Sequence, residues 1–61
     1  MLVQFRDRTS AVIYETRLEC VPRVGESIRF PSGRCAVVQH VEYQLDSHDL
    51  ATQTVAALRV R

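Results

Sequence analysis

The fold is decided by Val12-Ile13-Tyr14-Glu15-Thr16-Arg17-Leu18-Glu19-Cys20, a stretch in which apolar and charged side chains alternate. One parity carries Val12, Tyr14, Thr16, Leu18 and Cys20, and the other carries Glu15, Arg17 and Glu19. A period of two is typical of a strand with one wet side, as antiparallel sheets allow. A helix is the competing prediction, but β-branched and aromatic residues favour the strand. We expect this strand to end near Val21, because Pro22 cannot donate to a sheet ladder.

The same period predicts four further strands. They cover residues 1–6, a short stretch around Ile28 and Phe30, residues 35–45 and residues 53–60. Thr54, Ala56, Leu58 and Val60 form the inward face of the last strand. Phe30-Pro31-Ser32-Gly33 fits a type I turn that would join the third and fourth strands. Residues 46–52 are polar apart from Leu50 and Ala51, which predicts a loop or a single helical turn.

The fourth strand can be aligned in two ways. Strict alternation places Gln39 among apolar neighbours. A β-bulge near Gln39-His40 instead puts Ala36, Val38, Val41 and Tyr43 on one side. We favour the bulge, because small barrels need such bends to close.

Five short strands with tight turns and no convincing helix predict an all-β fold. We expect residues 1–61 to form one domain, a small five-stranded antiparallel barrel. An SH3-like barrel is the best match in size, and an OB-like barrel is the alternative. The first and last strands are expected to pair antiparallel where the barrel closes.

Composition limits the setting more than the function. Of 61 residues, 46% are hydrophobic and 25% are charged, which indicates a globular chain. No apolar run approaches the roughly 18 residues of a membrane span, so we expect no membrane contact. Gln4, Arg6, Asp7 and Arg8 stand where a signal peptide needs its apolar stretch, which predicts a cytoplasmic protein.

The segment Val21-Pro22-Arg23-Val24-Gly25-Glu26-Ser27-Ile28, followed by Gly33-Arg34-Cys35-Ala36-Val37-Val38 and Val41, carries a resemblance. It resembles short all-β proteins of bacteria and their phages that have a P-x-V-G-[DE]-x-[VI] turn. Ala36 stands where those proteins usually carry an aromatic residue. The resemblance implies a small β-barrel of bacterial or phage origin and assigns no activity.

Catalysis and metal binding find little support in the sequence. His40 and His48, with Glu42, Asp46 and Asp49, follow no familiar zinc or catalytic spacing. We therefore predict no enzyme activity, no catalytic residue, no metal and no cofactor. Cys20 and Cys35 are expected to be reduced and shielded from solvent.

The basic residues suggest one candidate surface. All eight are arginines, and the formal net charge is +1. Pairing of the first and last strands would bring Arg6, Arg8, Arg59 and Arg61 onto one outer ridge, able to meet nucleic-acid phosphates or an acidic protein surface. The alternative is separate solvated arginines paired with Asp7, Glu15 or Glu19.

A second candidate surface is apolar. Ile13, Val37, Val55 and Ala57 are expected on outward faces, where they would form an interface. A short chain has a thin core, so burying this patch against a second copy would add stability. We therefore predict a homo-oligomer, with a dimer as the first choice. The alternative is that the chain's own loops cover these residues, with Leu50 as a candidate.

These features lead to one functional hypothesis and one alternative. The hypothesis is a non-enzymatic binding or adaptor protein that acts through macromolecular interaction, with another protein as its partner. The alternative is a nucleic-acid-binding accessory protein that uses the arginine ridge.

Overall fold

A computed structural model describes residues 1–45 and 54–61, and within them the fold is all-β. The strands are β1 (Leu2–Arg6), β2 (Val12–Arg17), β3 (Ser27–Arg29), β4 (Cys35–Gln44) and β5 (Val55–Val60). They form one curled sheet in the order β2-β1-β5-β4-β3, a half-barrel with β2 and β3 at its edges. The predicted loop or turn at 46–52, including Leu50, lies outside the described residues.

The sheet is mixed, which corrects the expected antiparallel barrel. β1 runs parallel to β5, with Phe5 opposite Leu58 and Arg6 opposite Arg59, while the other neighbouring strands are antiparallel. The alternation of side chains determines which face of a strand is buried, but it is the same for either strand direction. The sequence pattern therefore predicted which face of each strand is buried, but it did not predict the relative direction of neighbouring strands.

The core lies on the inner face of the curl. Its members come from β1, β4 and β5 and from the residue that follows β3: Val3, Phe5, Phe30, Ala36, Val38, Ala56, Leu58 and Val60. Tyr14 of β2 completes it from the edge: its ring centroid lies 5.5 Å from that of Phe30 and 6.2 Å from that of Phe5. Phe5 and Phe30 meet edge to face, with centroids 5.4 Å apart. Contacts among these three rings join β2 to the β3–β4 hairpin. Side-chain packing thus connects the two edge strands, which the strand order does not place next to each other.

Two irregularities set the faces of the strands. The bulge predicted near Gln39-His40 is confirmed, because the β4–β5 register shifts between Val38 and His40. A second shift, between Phe5 and Arg6, was not predicted. It places Val12 opposite Arg6, and Val12 is 48% exposed, whereas Ile13 packs against the core. A bulge reverses the side-chain parity beyond it, which explains this exchange of faces.

β2 is shorter than predicted. It ends at Arg17, and the chain then bends at Glu19 and Cys20. The following segment crosses toward β4, where the Gly25 N–H donates to the Val38 carbonyl at 2.9 Å and the Val38 N–H donates to the Glu26 carbonyl at 3.0 Å. Gly25 has a φ of 93°, a conformation that glycine adopts without strain. The crossing brings Val21 against the core and leaves Cys20 exposed.

The hairpin between β3 and β4 has the predicted turn. The Gly33 N–H donates to the Phe30 carbonyl at 2.8 Å, and Gly33 has a φ of 92°.

No helix in residues 1–45 or 54–61 has the length and apolar character that a membrane span requires.

Candidate functional site

The outer face of the sheet carries a row of basic side chains. Arg6 of β1 stands opposite Arg59 of β5, and Arg59 stands opposite His40 of β4. These three residues, called the basic row below, lie at one register position across three adjacent strands. Neighbouring strands are about 4.8 Å apart, so the side chains of the row share one small area of surface.

Ala57 leaves a hollow beside the basic row. It pairs with Gln4 and Glu42 and lies two residues before Arg59, on the same face of β5. The hollow has a volume of about 60 Å³ and is lined by Arg6, Ser10, His40, Glu42, Ala57 and Arg59. A methyl side chain among longer neighbours creates this space. Ser10, at its rim, has a φ of 70°, a left-handed conformation that costs a non-glycine residue roughly 1–3 kcal/mol.

Two of the carboxylates near the basic row are engaged by other donors, and a third, Glu42, lines the hollow with its Oε1 3.9 Å from His40 Nε2. Glu15 Oε2 accepts a hydrogen bond from Gln4 Nε2 at 2.8 Å. Asp7 Oδ1 accepts from the Thr9 hydroxyl at 2.6 Å and from the Thr9 and Ala11 N–H groups. These hydrogen bonds, that of Thr9 Oγ1 above all, lower the pKa of the Asp7 carboxyl, so it is charged at neutral pH.

The arginines consequently lack carboxylate partners within the part of the chain that the structure describes. Across residues 1–45 and 54–61, the single contact within 4.0 Å between a basic and an acidic side chain joins His40 Nε2 and Glu42 Oε1, at 3.9 Å. Arg6 donates from Nη2 to Gln4 Oε1 at 2.6 Å, and its buried Nε has no partner. The pairing with Asp7, Glu15 or Glu19 that the sequence left open is therefore absent from the described residues.

The four arginines predicted as a ridge divide into two kinds. Arg6 and Arg59 are direct neighbours because β1 and β5 run parallel, and not antiparallel as expected. Arg61 follows on the same face of β5, and its backbone pairs with Val37 at 3.1 Å in both directions. Arg8 is exposed in the turn beyond β1. Because the pair is parallel, Arg8 and Arg61 extend from the same end of the sheet.

The apolar residues predicted as an interface are not brought together as one exposed patch. Ile13 packs against the core, and Ala57 is only 7% exposed at the bottom of the hollow. Val37 and Val55 are half-buried at opposite ends of the outer face, next to Arg61 and Leu2 respectively. The unpredicted bulge in β2 is the physical reason for the position of Ile13.

No group of three His, Cys, Asp or Glu side chains in residues 1–45 and 54–61 is arranged to hold a metal ion. His48, Asp46 and Asp49 lie outside the described residues.

Both cysteines are exposed, which corrects the expectation that they are shielded. Cys20 lies in the bend after β2, and Cys35 begins β4 on the side opposite the buried Ala36. We expect both thiols of the native protein to react with a maleimide or with Ellman's reagent as fast as the thiols of the urea-denatured chain. A native labelling rate at least about tenfold slower than the denatured rate would contradict the exposed positions.

Sequence reasoning identified Arg6 and Arg59 but did not join His40 and Ala57 to them. The sequence did indicate that His40 lies on the same face as Arg59, because the bulge favoured near Gln39 turns His40 to the outer face. The register between β4 and β5 was not predicted.

Comparison with known proteins adds no assignment: no protein-family model, curated protein or solved structure matches the chain.

Proposed function

We propose that the protein is a non-enzymatic binding module that acts through macromolecular interaction, and that the basic row binds the phosphate backbone of nucleic acid. One observation carries this proposal. Arg6 and Arg59 stand side by side on adjacent strands, and neither has a carboxylate partner among the described residues. Sequence alone favoured a protein as the partner, whereas this geometry favours the nucleic-acid alternative.

A bound anion would reduce the repulsion between the guanidinium groups of Arg6 and Arg59, which stand opposite each other. Like charges directly opposite each other on neighbouring strands destabilise a sheet. A phosphate group placed between two guanidinium groups converts that repulsion into two attractive contacts, and arginine's planar fork matches phosphate geometry.

The shape of the site supports contact with the backbone of the nucleic acid. The hollow of about 60 Å³ has room for a phosphate oxygen or a water molecule and is too small for a base. Phe5, Tyr14 and Phe30, which could stack on bases, pack against one another on the inner face. Contacts to phosphates position a protein without reading the sequence, so we expect little sequence preference.

The absence of catalysis at the basic row is part of this proposal and rests on the size of the hollow there. Sites that enclose small substrates usually occupy about 300–1,000 Å³. The hollow at the basic row is several times smaller. An acidic protein surface would present carboxylates to the same guanidinium groups, and it is the competing occupant that the experiment must separate.

The finer fold class and the setting are proposed on separate grounds. We propose an SH3-like rather than an OB-like barrel, which the short strands and the 61-residue length support. The parallel β1–β5 pair is the point where it departs from an all-antiparallel barrel. A cytoplasmic protein of bacterial or phage origin is the proposed setting, supported by the resemblance of the Pro22–Ile28 turn.

Salt dependence tests the nucleic-acid proposal. We expect the protein to raise the fluorescence anisotropy of a labelled duplex of about 20 base pairs, with log K falling against log salt at a slope of roughly −2 to −3, as expected for two or three phosphate contacts. Poly-glutamate should compete far less well than unlabelled duplex at equal charge concentration. No binding at roughly 25 mM salt, or equal competition by poly-glutamate, would contradict the proposal.

A further inference from the structure

The outer edge of β2 has no strand partner among the residues that the structure describes. β2 is the first strand in the order β2-β1-β5-β4-β3, and within the described residues it pairs with β1 alone. It has six residues, whereas β3 at the opposite edge has three. A free edge of this length presents a row of N–H and C=O groups that can pair with another strand.

The hydrogen bonds to β1 show which residues of β2 direct their backbone groups outward. Leu18 and Met1 exchange two backbone hydrogen bonds, each 2.9 Å long. Backbone direction alternates along a strand, so Thr16 and Tyr14 also turn their backbone groups toward β1. Glu15 and Arg17 therefore present theirs at the free edge, and both side chains are exposed.

Charge selects one register for a second copy of this edge. In an antiparallel pair about a two-fold axis, Glu15 can stand opposite Glu15, Arg17 opposite Arg17, or Glu15 opposite Arg17. The first two registers oppose like charges, which destabilises the pair. The third forms two Glu15–Arg17 pairs by symmetry, places Thr16 opposite Thr16, and sets Tyr14 opposite Leu18 on the inner face. Tyr14 and Leu18 are both partly exposed, so this register also extends the core.

We infer that the protein forms a two-fold dimer by antiparallel pairing of β2 with β2 of a second copy, in the register that opposes Glu15 and Arg17. The occupant is a second copy of this chain because the edge is complementary to itself in charge. In a closed two-fold dimer the β2 edge of each copy is paired with that of the other, so the assembly does not grow into a fibre through this edge. This interface differs from the apolar patch predicted from sequence, and it leaves the basic row on the open outer face.

Two single charge reversals test the register. By light scattering across a dilution series, the wild-type protein should have twice the 7.0 kDa mass of one chain. Glu15→Arg and Arg17→Glu should each oppose like charges twice, and each should weaken the dimer at least about tenfold. When the two variants are mixed, every cross-strand pair again joins opposite charges, so a heterodimer should form.

Two controls keep the test specific. Arg29→Glu reverses an exposed charge on the other edge strand, and Val55→Arg alters the outer face. Both should leave the dimer intact, and circular dichroism should show unchanged β-structure in all variants. A mass near 7.0 kDa at every concentration, reversals without effect, or a mixture that stays monomeric would overturn the inference.

Discussion

Replacing Leu58 by alanine should cost the fold about 2–5 kcal/mol of unfolding free energy. Leu58 is fully buried on β5, the central strand, between Phe5 of β1 and Val41 of β4. Removal of its side chain leaves a cavity that both neighbouring strands line. A chain of 61 residues is expected to have only about 3–9 kcal/mol of stability in total. The variant should therefore lose a large part of its stability.

Urea and thermal denaturation followed by circular dichroism measure this effect. Leu45→Ala is the matched control, because it removes the same atoms from a side chain that is 73% exposed. We expect Leu45→Ala to change the unfolding free energy by less than about 0.5 kcal/mol, and Leu58→Ala to lower Tm by at least about 8 °C. Similar losses in both variants would show that the core does not lie on the inner face as described.

Reversing both arginines of the basic row should abolish nucleic-acid binding. In Arg6→Glu/Arg59→Glu the two guanidinium groups are replaced by carboxylates that repel phosphate. Hydrogen bonds to charged groups contribute about 1.5–3 kcal/mol each. Loss of two such contacts, with repulsion added, should weaken binding at least about 100-fold in the anisotropy titration.

The control for this variant changes the net charge equally at other places. Arg23 and Arg29 are exposed, and both lie away from the basic row, in the crossing segment and on β3. Arg23→Glu/Arg29→Glu should retain most of the affinity, because only its long-range charge contribution changes. An equal loss in the control would mean that net charge, and not the basic row, determines binding.

Much of the fold follows from side-chain alternation because burial acts on each strand separately. Ala56, Leu58 and Val60 are buried as the period of two predicts, and so are Ala36 and Val38 once the bulge is placed. Strand direction could not be predicted this way, since parallel and antiparallel neighbours have the same alternation. The exposure of Tyr43, at 52%, was also missed, because alternation identifies a face but not where along a strand the core ends.

The candidate site was partly predictable for a related reason. Arg6 and Arg59 point outward on strands that were expected to be neighbours, but they meet because β1 and β5 run parallel. Antiparallel pairing over the same residues would place Arg6 opposite Val55. The four apolar residues do not form one exposed patch, because the register shift between Phe5 and Arg6 turns Ile13 toward the core. Nothing in Val12-Ile13 marks which of the two β-branched residues is the extra one. Cys20 is exposed because the chain leaves the sheet after β2, and Cys35 is exposed because it begins β4 on the side opposite Ala36.

The central claim is that phosphate groups bind at the basic row, and chemical-shift mapping tests it most directly. The backbone amide signals of isotopically labelled protein would be followed during titration with a short duplex at low salt. The largest changes should fall on Arg6, Ala57, Arg59 and His40, and they should disappear when salt is raised. Changes centred on the crossing segment or the β3–β4 hairpin, or no changes at all, would contradict the claim.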